Sequence, residues 1–184
     1  TKSAMITIAG RPNVGKSTLT NALVGEKIAI VSNKPQTTRN RICAVVNREN
    51  TQFVFIDTPG FHRPRTKLGD YMVNVVKESV ADVDAVILLV EPIANVGEQE
   101  HALIEQIKAS GAPAMLVINK IDTMEKEVLL PVIAAYQQEF NFDEVIPISA
   151  KWRDGVATLL EACEKYAQPG PMLFPEDMVT DMPE

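Results

Sequence analysis

The chain has 184 residues, 46% of them hydrophobic, and a formal net charge of −6 at pH 7. This length suits one domain with a sizeable core. With no bilayer-length apolar run and no opening signal-peptide pattern, we expect a cytoplasmic protein. The negative charge disfavours strong binding of a nucleic-acid backbone, which normally needs a basic surface.

The first predicted strand, residues 4–9, leads into a loop with the pattern glycine, four residues, Gly-Lys-Ser/Thr. An amphipathic helix pattern follows and ends near Gly25. In this context, backbone N–H groups wrap phosphates and the helix directs its positive end at them. Lys16 is expected to reach the β- and γ-phosphates, and the Ser17 hydroxyl to hold Mg²⁺. The predicted nucleoside triphosphate loop comprises Gly10, Arg11, Pro12, Asn13, Val14, Gly15, Lys16, Ser17 and Thr18.

A polar stretch without periodicity then runs to about residue 40, and a loop of this length usually has a function. Two β-like runs, residues 42–47 and 52–56, predict a hairpin whose first strand is antiparallel to the rest of the sheet. The second run delivers a carboxylate, Asp57, toward the magnesium shell. The segment after it, which we also expect to contact the nucleotide, is Thr58, Pro59, Gly60 and Phe61. The backbone N–H of Gly60 can approach a γ-phosphate without obstruction.

The remainder alternates between apolar runs and amphipathic helices. After a helix pattern between Leu68 and Val80, strands are predicted at 85–90, 114–118 and 145–148, and helices near 98–109, 131–140 and 156–166. Short apolar strands between helices are typical of a parallel sheet covered on both faces. We therefore predict an α/β three-layer sandwich with six strands, one of them antiparallel. The loops that follow the parallel strands and carry the motifs would lie at the carboxyl edge of the sheet. Residues 1–168 would form this domain, and residues 169–184 a linker.

Polar segments follow the second and third of these strands, where a nucleotide would present its base. The residues expected to select it are Asn119, Lys120, Asp122, Ser149, Ala150 and Lys151. Asp122 can accept hydrogen bonds from N1–H and the 2-amino group of guanine, donors that adenine lacks. Asn119 can address N7 and hold the loop, while Ala150 N–H can donate to O6. The Lys120 stem would cover one face of the ring, so we predict GTP and GDP as ligands.

These motifs, taken together and in their order along the chain, resemble those of the translation-factor-related P-loop GTPases, and more closely those of the bacterial Era GTPases. The closer resemblance covers essentially the whole chain and rests on four segments, at 10–18, 34–42, 55–62 and 174–181. The more specific ones are the context of Gln-Thr-Thr-Arg at 36–39 and the tail Phe-Pro-Glu-Asp-Met-Val-Thr-Asp at 174–181. It implies a GTP-hydrolysing switch in which Ser17 and Thr38 ligate magnesium and Asp57 reaches it through water. It further implies a role in assembly of the small ribosomal subunit, with 16S rRNA and the 30S subunit bound through a KH domain beyond these residues.

The resemblance leaves several points as expectations. Residues 1–184 should bind RNA weakly and be monomeric, and peripheral association with the inner membrane face is a further option. Lys16, Thr38 and Gly60 are the predicted catalytic residues. Phe61 stands where Ras-like GTPases place a water-orienting glutamine, so intrinsic hydrolysis should be slow. Asn13 either holds a potassium ion, as in related GTPases with asparagine at this place, or only stabilises the loop.

Three alternatives remain open at this point. The chain could be an interaction module that binds nucleotide without turning it over. It could be a P-loop kinase or ATPase, although kinases lack the Asn-Lys-x-Asp segment. It could also be another ribosome-assembly or tRNA-modifying GTPase of the same class.

Overall fold

The computed structural model describes residues 1–24, 28–29, 42–57 and 83–170. The strands in these ranges are β1 (Lys2–Ala9), β2 (Ile28–Ala29), β3 (Ile42–Arg48), β4 (Thr51–Asp57), β5 (Ala85–Val90), β6 (Ala114–Ile118), β7 (Glu144–Pro147) and β8 (Gln168–Pro169). The helices are α1 (Lys16–Val24), α2 (Glu98–Ser110), α3 (Leu129–Gln137) and α4 (Val156–Cys163). Short 3₁₀ turns lie at Ile121–Thr123, Lys126–Val128, Ala150–Trp152 and Glu164–Tyr166.

The strands form one sheet in the order β2-β3-β4-β1-β5-β6-β7, with β8 paired to β1. Strand β1 is parallel to β4 and β5, and β6 continues the parallel arrangement to β7. Strand β3 is antiparallel to β4. The predicted α/β sandwich, with six main strands and one of them antiparallel, is therefore confirmed. The sequence did not reveal β2 and β8, because two residues are too few to show a period.

The two faces of the sheet carry separate apolar layers. Residues Ile87 and Leu89 of β5 pack in the layer that includes α1 and α4. Their neighbours Val86 and Leu88 pack in the layer that includes α2 and α3. All six residues of β5 are buried, as expected for a parallel strand covered on both sides.

Some boundaries differ from the predicted ones. Helix α3 begins at Leu129 and ends at Gln137, so it starts two residues earlier than predicted, and residues 138–140 lie outside it. Pro169, assigned to the linker, instead pairs with Lys2 at the start of β1. The Gly170 N–H donates to the Thr1 carbonyl at 3.1 Å. The predicted helix between Leu68 and Val80 lies outside the described residues.

The parallel arrangement brings the carboxyl ends of β1, β4, β5, β6 and β7 to one edge of the sheet. In open α/β sheets, this edge is where ligands bind. Among the helices that the structure describes, none is long and apolar enough to cross a membrane.

Candidate functional site

The predicted phosphate loop connects β1 to α1 at the carboxyl edge of the sheet. Its backbone takes left-handed conformations at Asn13, with φ of 68°, and at Gly15, with φ of 107°. Such turns direct successive N–H groups into a concave anion-binding surface. Lys16 opens helix α1 and Ser17 follows it, so both lie at the positive end of the helix.

Three contacts attach this loop to other segments. The Asn119 side chain donates from Nδ2 to the Val14 carbonyl at 3.0 Å, and both residues are buried. Lys120 Nζ donates to the Asn13 carbonyl at 3.1 Å. Arg11 lies 3.6 Å from the carboxylate of Glu100. The base-reading segment, as we call residues 119–122 for their predicted role, therefore bonds directly to the phosphate loop through two consecutive residues.

The sequence did not single out Glu100, although its position carried a signal. It is a buried carboxylate on α2, on the same helix face as Leu103, Ile104 and Ile107. A charged residue on an apolar stripe is buried only when it is paired, and Arg11 provides the partner. Burial, together with the nearby Glu100 charge, raises the pKa of the Tyr136 hydroxyl.

The two predicted base-reading segments meet at the ends of β6 and β7. The Ser149 hydroxyl donates to Asp122 Oδ1 at 2.8 Å, and this hydrogen bond lowers the pKa of the Asp122 carboxyl. Asp122 is exposed and therefore remains an ionised acceptor at neutral pH. The described contact of the Ser149 side chain is therefore with Asp122, and its direct role in selecting guanine stays a prediction.

Asn119 uses both ends of its amide within the protein. Besides the bond to Val14, its Oδ1 accepts a hydrogen bond from Ala150 N–H at 3.0 Å. The Asn119 side chain therefore joins the segment after β6 to the phosphate loop and to Ala150. The expected contacts of Asn119 with N7 and of Ala150 with O6 of guanine stay predictions.

The outer part of this region is aromatic and basic. Lys151 and Trp152 are exposed, and Lys151 Nζ lies 5.2 Å from the centre of the Trp152 ring. Lys120 has a left-handed backbone with φ of 65°. Its ammonium lies 2.6 Å from Glu91 Oε2, a partner that the sequence did not suggest.

The magnesium prediction can be compared with the described backbone. Asp57 ends β4, where it pairs with Ile8 of β1, two residues before the phosphate loop begins. Ser17 is the second residue of α1 at the same edge, so the backbone positions of a hydroxyl-bearing and a carboxylate-bearing residue lie at one edge of the sheet. Oxygen ligands are those that Mg²⁺ prefers. The oxygen donors of these two residue types fit the chemistry of the ion, and their coordination of it stays a prediction. Across the ranges that the structure covers, no group of three or more His, Cys, Asp or Glu could hold a metal.

Several predicted site residues fall outside the described ranges. They are Thr38, Thr58, Pro59, Gly60 and Phe61. Their assigned roles at the metal and at the γ-phosphate stay predictions.

Comparison with known proteins agrees with this geometry. Residues 5–120 match the family model described as 50S ribosome-binding GTPase. The chain is 49% identical over 183 residues to the GTPase Era of Clostridium perfringens, and it spans 62% of that relative's length.

Two solved structures are also similar. An Era variant from Aquifex aeolicus bound to GDP and AlF₄⁻ superimposes with a TM-score of 0.82 at 36% identity, covering 100% of this chain and 63% of that one. A structure of Era with MgGDPNP and nucleotides 1506–1542 of 16S ribosomal RNA also gives 0.82, at 37% identity, covering 99% and 62%. The predicted resemblance is thereby confirmed, and the kinase or ATPase alternative is set aside. The chain belongs to the GTPase family that the family model describes, and over its whole length it is similar to GTPases of the Era group.

Proposed function

We propose that the chain binds GTP and hydrolyses it slowly, as the switch domain of a protein that assists assembly of the small ribosomal subunit. The observation that carries this proposal is the bond between the Asn-Lys-x-Asp segment and the phosphate loop. Through Asn119 and Lys120, the part that reads the base is fixed relative to the part that holds the phosphates. A guanine nucleotide is the ligand that spans both.

Within this proposal, the predicted site residues have defined tasks. The loop N–H groups and Lys16 bind the phosphates and offset their charge. Asp122, oriented by Ser149, accepts the two guanine donors, and the Lys120 stem covers the ring. Ser17, with Thr38 and, through water, Asp57, would hold Mg²⁺, which supplies charge neutralisation at the phosphates when bound.

GTP hydrolysis should be slow because Phe61 occupies the position of the water-orienting glutamine of Ras-like GTPases. Its ring cannot orient an attacking water, so we expect an intrinsic rate of about 10⁻⁴ to 10⁻² s⁻¹. Phosphate release from GTP and from ATP over a long incubation tests this activity, with Lys16→Ala as the inactive comparison. Release from GTP alone supports the proposal. No release from either would favour the alternative of an interaction module without turnover.

A second expectation concerns monovalent cations. Asn13 is an exposed residue of the phosphate loop and, by the resemblance, its side chain would help to hold a potassium ion near the phosphates. We expect faster hydrolysis in KCl than in NaCl at equal ionic strength, because the smaller sodium ion cannot contact the same ring of oxygens.

The variant Asn13→Ala should remove the difference between the two salts while leaving GTP binding largely intact. Equal rates in KCl and NaCl for the unsubstituted protein would contradict the potassium role. Asn13 would then be a residue that only stabilises the loop.

The ribosomal role is proposed from the relatives, one of which is solved with a 16S rRNA fragment. With a net charge of −6, residues 1–184 alone should bind ribosomal RNA weakly, with a dissociation constant of about 10⁻⁴ M or higher. Filter binding with and without the downstream region proposed to carry a KH domain measures the difference. Tight, sequence-selective binding by residues 1–184 would contradict this division of roles.

Three finer expectations also stay proposals. They are a monomeric state, a cytoplasmic location and peripheral association with the inner membrane face. Analytical ultracentrifugation and sedimentation with lipid vesicles would test the first and the last.

A further inference from the structure

The ammonium of Lys120 lies between two acceptors from different segments. It donates to the Asn13 carbonyl of the phosphate loop at 3.1 Å and to Glu91 Oε2 at 2.6 Å. Glu91 directly follows β5, and Lys120 comes two residues after β6. These strands are paired through their last residues, Val90 and Ile118. The sheet therefore fixes the two side chains next to each other.

The backbone around the pair is equally constrained. The Asn119 N–H donates to the Val90 carbonyl at 2.8 Å, and Lys120 takes a left-handed conformation that few residues other than glycine adopt. A lysine stem has several rotatable bonds, so its position is set by what its ammonium contacts. The carbonyl of Asn13 alone is a neutral acceptor. The Glu91 carboxylate is the charged one, and charge-assisted hydrogen bonds are the stronger kind.

We propose that Glu91 is a positioning residue for nucleotide binding. It holds the Lys120 side chain in the position in which its ammonium bonds to the phosphate loop and its stem covers the base. This inference rests on the proposed binding of guanine nucleotides. Glu91 need not touch the nucleotide. Because Glu91 already orders the Lys120 side chain in the free protein, nucleotide binding does not have to order it. The entropy cost of binding is therefore smaller, and the bound nucleotide is released more slowly.

Removing the carboxylate of a surface ion pair away from the site should not change nucleotide release. Such a pair is present on α2. Lys108 Nζ and Glu105 Oε2 on α2 lie 3.2 Å apart, and these side chains are 44% and 53% exposed. The Lys120–Glu91 side chains are less exposed, at 39% and 30%. Glu105→Ala is therefore a matched control, since it removes one carboxylate from a Lys–Glu pair on another part of the molecule.

The experiment measures release of fluorescently labelled GDP after addition of excess unlabelled GDP. Glu91→Ala should accelerate release about tenfold, and Glu91→Gln, which keeps an oxygen acceptor without the charge, by about threefold. Glu105→Ala should change the rate by less than about twofold. The same factors are expected for a labelled, non-hydrolysable GTP analogue, because the contacts involve no γ-phosphate.

A double-substitution cycle separates positioning from general stabilisation. Lys120→Met keeps most of the stem and removes the ammonium. In that background, adding Glu91→Ala should change the release rate by less than about twofold. Independent, multiplying effects of the two substitutions would overturn the inference, as would release from Glu91→Ala at the unsubstituted rate. If Glu91→Ala does not fold, judged by thermal unfolding without nucleotide, the Glu91→Gln comparison decides.

Failure of the proposed function has a separate signature. If the unsubstituted protein holds no labelled GDP, or if ADP displaces it as well as GDP does, guanine-nucleotide binding itself is wrong. If the protein holds GDP and Glu91→Ala releases it at the same rate, only the role of Glu91 is wrong.

Discussion

Replacing Asp122 by asparagine should change the preferred nucleotide from GTP to XTP. Guanine offers N1–H and an amino group to the carboxylate, whereas xanthine carries a carbonyl oxygen in place of the amino group. An amide at position 122 supplies the N–H that this oxygen needs and no longer accepts two hydrogen bonds. We expect GTP affinity to fall by about 10²-fold or more, since a site built for a hydrogen bond rejects a ligand that cannot complete it.

Competition binding of GTP, XTP and ATP to both proteins measures this exchange. Ser149 should remain bonded to the substituted side chain, because a hydroxyl can donate to an amide oxygen as it does to Asp122 Oδ1. Asp154→Asn is a suitable control. It makes the same change of charge at an exposed residue whose backbone pairs with Ser149. A retained preference for GTP in Asp122→Asn would show that Asp122 does not read the base.

Replacing Gly15 by alanine should abolish tight nucleotide binding. A Cβ at this position would lie 2.2 Å from Asn119 Nδ2, the atom that donates to the Val14 carbonyl. Gly15 also has φ of 107°, where a side chain is strained whatever the space. The substitution therefore displaces the phosphate loop and the base-reading segment together. Strain of this kind is on the order of 1–3 kcal/mol, and the lost contacts add to it, so we expect affinity for GDP to fall by about 10²-fold or more.

Gly111→Ala provides the matched comparison. Gly111 ends α2 with φ of 75°, and a Cβ there would meet nothing within 4 Å. This variant should lose about 1 kcal/mol of stability because alanine is strained in the left-handed region, yet bind GDP as before. Calorimetric titration with GDP and thermal unfolding separate the two effects. Affinity within about twofold of the unsubstituted protein for Gly15→Ala would contradict the role given to this contact.

Much of this site could be predicted because its chemistry lies in short, local patterns. The glycine-lysine-serine pattern of residues 10–18 and the segment from Asn119 to Asp122 each follow an apolar strand. Parallel pairing then brings strand ends together at one edge. The α/β class followed from the same alternation, because β5 and β6 are apolar at every position.

The parts that could not be predicted depend on pairings between distant residues. Nothing local in the sequence joins Asn119 to Val14, 105 residues away. Glu91 and Glu100 each read as an ordinary acidic residue until the fold places Lys120 or Arg11 beside it. The ladder of β8 with β1 is set by where the chain returns after α4, and two residues carry no period from which to infer it.

That short ladder fixes where the last described residues lie relative to the phosphate loop. Strand β8 pairs with Lys2 and Ser3, at the amino end of β1, while the phosphate loop follows Ala9 at the other end. Eight residues of strand span about 23 Å at the usual rise. Any segment that continues beyond Gly170 therefore starts one full strand length away from the nucleotide. A conformational change at the nucleotide can therefore reach such a segment in two ways. It is transmitted along the length of β1, or the segment folds back over the domain surface and contacts the nucleotide site directly.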